Sequence, residues 1–213
     1  MNKYNNNNNN RTNNKSARSS YSKMSSKVSN SRPPIRSRKN GTKFETKISE
    51  ATELAHIPEL KEDSIRIINL GGVEEVGRNM SCIEYKDSIV IVDCGFQFSE
   101  SSTPGVECIL PNTRYLEENK HKIKGMLITH GHLDHIGAIP YILPRIGNPK
   151  IYSRQFTDLI IKKRHEVFPH LDPLNIKIVE TEDTVFLGDL KAKFFAVSHA
   201  IPDSMGLIIE TPY

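Results

Sequence analysis

The 213 residues of this chain divide into a basic beginning and a mildly acidic remainder, which the overall formal charge of +4 conceals. Residues 1–50 contain twelve Lys or Arg and two Asp or Glu, whereas the other 163 residues contain seventeen and twenty-three. The three cysteines show no paired spacing, and no apolar run reaches the roughly 18 residues of a membrane span, so we expect neither a disulfide framework nor a membrane partner. Free cysteines favour a reducing compartment, and we predict a cytoplasmic protein.

Residues 1–60 are predicted to be a disordered, basic extension. Nine of the first fourteen residues are Asn, and ten Ser lie among the basic residues up to position 50. Such a segment buries too little apolar surface to offset the entropy of ordering it. Two interpretations stay open: an arm that attracts RNA or another polyanion through its phosphates, or a solvated extension without a partner. A short helix is predicted over residues 48–55, before Pro58.

Residues 61–213 are predicted to form a mixed α/β domain. Strands at 64–70, 80–85 and 88–92, joined by short turns, predict an antiparallel meander. Residues 96–110 predict a loop and residues 112–120 a helix. A strand at 122–129, an apolar helical segment at 136–142, a strand at 149–152 and a helix at 153–168 follow. Four more strands are predicted at 175–180, 185–188, 192–197 and 205–210.

Four residues of metal-ligand type follow the strand at 122–129 within six positions: His130, His132, Asp134 and His135. His130 and His132 are two residues apart, so on an extended segment their rings point the same way and can hold one cation. Asp134 and His135 follow the turn and can hold a second. These ligands suit zinc, with manganese as the alternative. Two adjacent ions suit hydrolysis, because they neutralise the charge that builds on a reacting phosphorus or carbonyl.

Two other interpretations of the cluster are weaker. A structural zinc site usually uses cysteine, and none of the three cysteines lies near the cluster. A chance group of surface histidines is improbable for four ligand-type residues in six.

Two further residues complete the predicted site. His199 also follows an apolar strand, and beside the cluster it is the predicted third histidine of the first ion. Asp93 follows the third strand, where it has two alternative roles. It can cap a turn, or it can accept a hydrogen bond that fixes the tautomer of a ligand histidine, and we favour the second.

The segment HGHLDHIG at residues 130–137 resembles the HxHxDH signature of the metallo-β-lactamase superfamily. The segments NLGGVEEVGRNM (69–80), VDCG (92–95), THGHLDHIGAIPYIL (129–143) and SHAIPDSMGL (198–207) are similar to the ribonuclease J family in order and spacing. The resemblance covers residues 64–213, and its last segment is the most specific, because other members of the superfamily differ there.

This resemblance implies a metallo-β-lactamase αββα sandwich with two zinc ions. His130, His132 and His199 would bind one ion, and Asp134 and His135 the other. It also implies a ribonuclease that degrades RNA from the 5′ end and cuts internally. For the full-length protein we expect a homo-oligomer, a dimer or a tetramer.

The sequence lacks parts that this family expects after the last strand. They are an aspartate that bridges the metals, a β-CASP domain, a late histidine ligand and a C-terminal domain. We therefore interpret the chain as an N-terminal fragment with an incomplete sandwich, inactive alone, and assign no catalytic acid or base in it. The alternatives are a related hydrolase that acts on a small substrate and a non-catalytic RNA-binding fragment.

Overall fold

The computed structural model describes residues 57–99 and 104–212, which contain a six-stranded, a three-stranded and a two-stranded β-sheet and four short helices. The strands are β1 (Ile65–Gly71), β2 (Met80–Tyr85), β3 (Ser88–Val92), β4 (Gln97–Phe98), β5 (Cys108–Ile109), β6 (Ile123–Leu127), β7 (Ile151–Ser153), β8 (Ile176–Ile178), β9 (Thr184–Leu187), β10 (Leu190–Ala196) and β11 (Met205–Glu210). The helices are α1 (Arg114–Glu118), α2 (Leu133–Ile136), α3 (Ile139–Ile142) and α4 (Gln155–His165), and a single 3₁₀ turn spans Lys120–Lys122. The helix predicted at 48–55 and most of the basic extension lie outside the described residues.

The larger sheet has the strand order β1-β2-β3-β6-β7-β8, and the smaller sheet has the order β11-β10-β9. β1, β2 and β3 pair antiparallel, which confirms the predicted meander. From β3 onward the pairing is parallel, through β6 and β7 to β8. The carboxyl ends of β3 and β6 therefore meet at one edge, where loops are best placed to carry functional side chains.

Two predicted elements differ from the structure. The segment predicted as a loop at 96–110 contains β4 and β5, which pair antiparallel over two residues each. Strands this short carry no periodic signal, so only the tertiary pairing defines them. The apolar segment at 136–142 is divided into α2 and α3 at Gly137, and Pro140 lies in the first turn of α3, where its missing N–H costs nothing.

The central strands are buried on both faces, and alternate side chains enter two different cores. Ile91 and Met126 face the helices, where they contact a cluster that includes Leu116. Val90 and Leu127 face the smaller sheet and contact the second cluster. β3 and β6 thus stand between two apolar layers, and the loops that follow them begin from a fixed position. None of the helices in the described ranges is long and apolar enough to cross a membrane.

Replacing a side chain between the sheets should cost far more stability than replacing an exposed one on the same sheet. Leu127 is fully buried, so Leu127→Ala should lower the free energy of unfolding by about 2–5 kcal/mol through lost contacts and a residual cavity. Ile67 is 67% exposed, so Ile67→Ala should cost less than about 1 kcal/mol. Urea unfolding monitored by circular dichroism measures both, and equal losses would contradict the two-layer arrangement.

Candidate metal centre

Three histidine side chains converge at the edge where the chain leaves β6. His130 Nε2 lies 3.1 Å from His132 Nδ1, and His199 Nε2 lies 3.2 Å from the same His132 nitrogen. The three ligand atoms all lie within 4.8 Å of one another. His130 is buried, whereas His199 is exposed, so the group is open to solvent on one side. Nitrogen atoms this close can share one cation.

Local backbone structure presents this group. His130 follows β6, and His132 is the extended N-cap residue of α2, with φ −71° and ψ 148°. Gly131 lies between them and allows α4 to approach closely, because a Cβ atom there would lie 2.8 Å from Ile160 Cδ1. Alternation on an extended segment, as predicted from the spacing, thus brings both rings to one side.

Asp134 and His135 lie beside the three histidines. His135 Nε2 is 3.3 Å from Asp134 Oδ2, and the rings of His130 and His135 have centroids 4.0 Å apart. Asn79 Nδ2 donates to Asp134 Oδ2 over 3.0 Å and lies 3.2 Å from His135 Nε2. Sequence reasoning did not single out Asn79, although the segment that contains it supported the resemblance. A polar residue directly before a buried strand was the available signal.

Backbone hydrogen bonds tie this pair to two other segments. Asn79 N donates to Asp134 O over 3.0 Å, and Gly95 N donates to Asn79 O over 2.9 Å. Cys94 N donates to His135 O over 2.7 Å. A Cβ atom on Gly95 would lie only 1.5 Å from Asp134 O, so no other residue fits this approach. The segments around Asn79 and Gly95 therefore fix the backbone that presents Asp134 and His135.

The Asp93 carboxylate is hydrogen-bonded to His135 and, through Thr129, is connected to His130. Asp93 is 6% exposed and has a φ of 60°, a left-handed conformation that non-glycine residues seldom adopt. Its Oδ1 accepts a hydrogen bond from Thr129 N over 2.8 Å, and its Oδ2 accepts one from His135 Nδ1 over 2.8 Å. Thr129 Oγ1 lies 2.9 Å from Asp93 Oδ2 and 2.9 Å from His130 Nδ1.

These contacts determine which ring nitrogens are available. When the Thr129 hydroxyl donates to Asp93, its oxygen can accept from His130 Nδ1–H, which leaves the Nε2 lone pair of His130 unprotonated. In the neutral ring of His135, Asp93 likewise accepts from Nδ1–H, which leaves the lone pair on Nε2. Both nitrogens lie among the convergent groups, His130 Nε2 beside His132 Nδ1 and His135 Nε2 beside Asn79 Nδ2. Asp93 thus makes the contact predicted for it, while its role behind a metal ligand stays a prediction.

The pKa values of His130 and His135 shift in opposite directions. Burial lowers the pKa of His130 to about 4, and the neighbouring histidines add to this effect, so its ring is neutral at neutral pH. Burial also acts to lower the pKa of His135, but the hydrogen bond and charge of Asp93 outweigh it, and the net shift is upward. Burial therefore disfavours protonation of His130, whereas the Asp93 carboxylate favours protonation of His135.

Residues 73–208 match the model of the metallo-beta-lactamase superfamily. The chain belongs to that superfamily. It is 42% identical over 150 residues to ribonuclease J of Mycoplasma pneumoniae, a match that covers 69% of this chain and 26% of that protein. It is 40% identical over 158 residues to ribonuclease J of Corynebacterium glutamicum, covering 73% and 21% respectively. These relatives confirm the resemblance inferred from the four motifs, and the chain spans about a quarter of their length.

One solved structure of low sequence identity supports the fold and nothing beyond the fold. A protein of unknown function from Enterococcus faecalis V583 superimposes with a TM-score of 0.56 at 17% identity, over 68% of this chain and 40% of that one. Together with the superfamily match, it confirms the predicted α/β metallo-β-lactamase fold class. The structure brings His130, His132 and His199 together and sets Asp134 and His135 beside them. Their assignment as ligands of two ions stays a prediction.

Removing the charge of Asp93 should change His135 most. In the metal-free chain, Asp93→Asn should lower the pKa of His135, since the carboxylate is what raises it. The stability that the proton on His135 contributes is present below its ordinary pKa of 6.5 and is lost as pH rises through the raised folded value. This contribution should vanish in Asp93→Asn, and metal affinity should fall about 10- to 100-fold.

Histidine Cε1–H chemical shifts followed against pH measure this effect directly. Asp189→Asn is the matched control, because Asp189 accepts a hydrogen bond from Ser88 Oγ at 3.0 Å instead of from a histidine. An unchanged His135 pKa in Asp93→Asn would contradict the role described for Asp93.

Proposed function

We propose that this chain provides the two-ion centre of a metal-dependent ribonuclease, a hydrolase that cleaves the phosphodiester bonds of RNA. The observation that carries the proposal is the convergence of three histidine nitrogens within 4.8 Å, next to the Asp134–His135 pair. Identity of 42% over 150 residues and of 40% over 158 residues to two proteins named ribonuclease J supports RNA as the substrate. The fold alone does not identify the substrate, because proteins with one fold catalyse many different reactions.

The side chains fit divalent cations by their donor chemistry. Imidazole nitrogen with carboxylate oxygen is the donor set of catalytic zinc sites, and manganese accepts the same ligands. We assign His130 Nε2, His132 Nδ1 and His199 Nε2 to one ion. We assign Asp134 Oδ2 and His135 Nε2 to the other. Exposure of His199 leaves this centre open on one side, which suits an entering substrate rather than a closed structural site.

The chain's own residues prepare this centre for hydrolysis. When bound, two divalent cations supply a water of low pKa and neutralise the charge that develops on a phosphodiester. His130 stays neutral because burial lowers its pKa to about 4, so protons do not compete for its nitrogen at neutral pH. Asp93 holds the ring of His135, and through Thr129 it also orients His130. Positions held in this way need no rearrangement during the reaction.

The finer features of the activity belong to the same proposal. Zinc as the resident ion, cleavage from the 5′ end and at internal positions, and assembly into a dimer or tetramer follow from the resemblance to ribonuclease J. A cytoplasmic location is consistent with the free thiols of Cys82 and Cys94, both of which are buried. The basic extension, with its excess of Lys and Arg, is proposed to contact RNA phosphates.

The test uses the full-length natural protein, with 5′-monophosphorylated RNA as substrate. Chelation by EDTA should abolish hydrolysis, and added zinc should restore it. His132→Ala should reduce the rate by more than about 100-fold, because it removes a direct ligand rather than an outer contact. His121→Ala is the control, since His121 is exposed and lies in the 3₁₀ turn before β6.

Unchanged hydrolysis after chelation, or in His132→Ala, would contradict the metal-dependent ribonuclease. A protein that binds zinc but cleaves no RNA would instead support the alternative of a small substrate. RNA affinity that survives His132→Ala but falls when residues 1–50 are deleted, without any cleavage, would support the non-catalytic alternative.

A further inference from the structure

The loop that carries His199 lies between β10 and β11 and is mostly exposed. Its ends are joined by a hydrogen bond from Val197 N to Ser204 O over 3.1 Å, and Met205 N donates to Thr129 O over 3.0 Å. These bonds fix the base of the loop, with six residues between Val197 and Ser204, but they do not by themselves orient His199 in its exposed part. A ligand on such a loop loses conformational freedom when it binds an ion, unless another contact has already restricted it.

Asp203 supplies a contact of this kind. Its Oδ2 accepts a hydrogen bond from Phe156 N over 2.9 Å, in the first turn of α4. Its Oδ1 accepts a longer one from Arg154 Nη2 over 3.4 Å, and Arg154 Nη1 also pairs with Glu180 Oε2 at 3.0 Å. The carboxylate therefore joins the His199 loop to the start of α4 and, through Arg154, to Glu180 in the segment that follows β8.

The start of α4 is suited to receive this carboxylate. Its N-cap residue is Arg154, whose side chain makes no capping hydrogen bond to the helix. The free N–H groups of the first turn are therefore open to water or to an acceptor from another segment. Asp203 provides it from a different segment, and its negative charge lies at the positive end of an 11-residue helix. Because Asp203 belongs to a different segment, its hydrogen bond to Phe156 N also connects the His199 loop to α4.

α4 also lies against the segment that carries the other histidines. A Cβ atom on Gly131 would lie 2.8 Å from Ile160 Cδ1 and 3.7 Å from Thr157 Cα, both in α4, and 3.5 Å from Ile201 Cδ1 in the His199 loop. Three segments thus meet around Gly131. Fixing the loop on α4 consequently fixes it relative to His130 and His132.

We propose that Asp203 is a positioning residue of the metal centre, which places His199 by holding its loop on the start of α4. The backbone of Asp203 agrees with such a fixed role, since its φ of 59° is left-handed, a conformation that aspartate, asparagine and glycine tolerate best. The inference rests on the proposed metal centre, because it assigns His199 as a ligand. Asp203 itself does not contact the ion.

The test is a Co²⁺ titration of the 213-residue chain, read from the visible d–d absorption and from competition with a chelating dye. His199→Ala first identifies the binding step that depends on His199. In Asp203→Gly, which keeps the left-handed backbone but removes the carboxylate, the affinity of that step should fall about 10- to 100-fold. Its spectrum should approach that of His199→Ala. The step that depends on Asp134 and His135 should keep its affinity.

Two further variants separate positioning from helix stability. Asp203→Asn can still accept from Phe156 N but loses the charge toward Arg154, so its affinity should lie between those of the unsubstituted chain and the glycine variant. Asn112→Gly is the matched control: Asn112 Oδ1 accepts from Arg114 N over 3.2 Å at the start of α1, remote in sequence from the His199 loop. Its metal affinity should equal that of the unsubstituted chain.

Each outcome decides the inference. A lower melting temperature with unchanged Co²⁺ affinity in Asp203→Gly would show that Asp203 is only a helix cap and would overturn the positioning role alone. Co²⁺ binding that His199→Ala does not alter would overturn both this role and the proposed first ion site. If Asp203→Gly does not fold, Asp203→Asn decides, and an affinity equal to that of the unsubstituted chain overturns the positioning role.

Discussion

The hydrogen bonds of the Asp93 carboxylate are the interaction on which the rest of this centre depends. Asp93 is buried at the end of β3 and binds Thr129 at the end of the neighbouring strand β6. It also binds His135, beyond the turn that follows β6. One carboxylate therefore connects the sheet edge to both groups of histidines, and a buried charge is tolerable there because its oxygens are hydrogen-bonded. The left-handed backbone at Asp93 shows that the surrounding structure holds this residue in place.

Electrostatics also distinguish the titratable side chains at this edge of the sheet. Among the titratable groups at the site, burial keeps His130 neutral, whereas the Asp93 charge raises the pKa of His135. Burial keeps the thiols neutral as well: it raises the pKa of Cys82 to about 12, and this side chain is fully buried in β2. Cys94, next to Asp93 in sequence, is fully buried and shifted in the same direction. Nitrogen and oxygen ligands, rather than sulfur, are therefore what this edge of the sheet offers.

Sequence patterns predicted the local features well and the long-range contacts poorly. β2 and β3 begin and end where alternation and the Lys86-Asp87 turn placed them, and the HxHxDH spacing identified the ring positions of His130 and His132. Both are properties of neighbouring residues. The two-residue pairing of β4 with β5, the bond from Asn79 to Asp134 and the cap of α4 by Asp203 join residues far apart in sequence. No periodicity marks such contacts, because they are created only when the chain folds.

Two groups of side chains on this chain are proposed to bind two separate cations. Diffraction data from zinc-soaked crystals of the chain, collected on either side of the zinc absorption edge, test it most directly. We predict two anomalous peaks, one among His130 Nε2, His132 Nδ1 and His199 Nε2 and the other between Asp134 and His135. A map without anomalous density at His130 and His132, or with zinc bound only at the cysteines, would contradict this account.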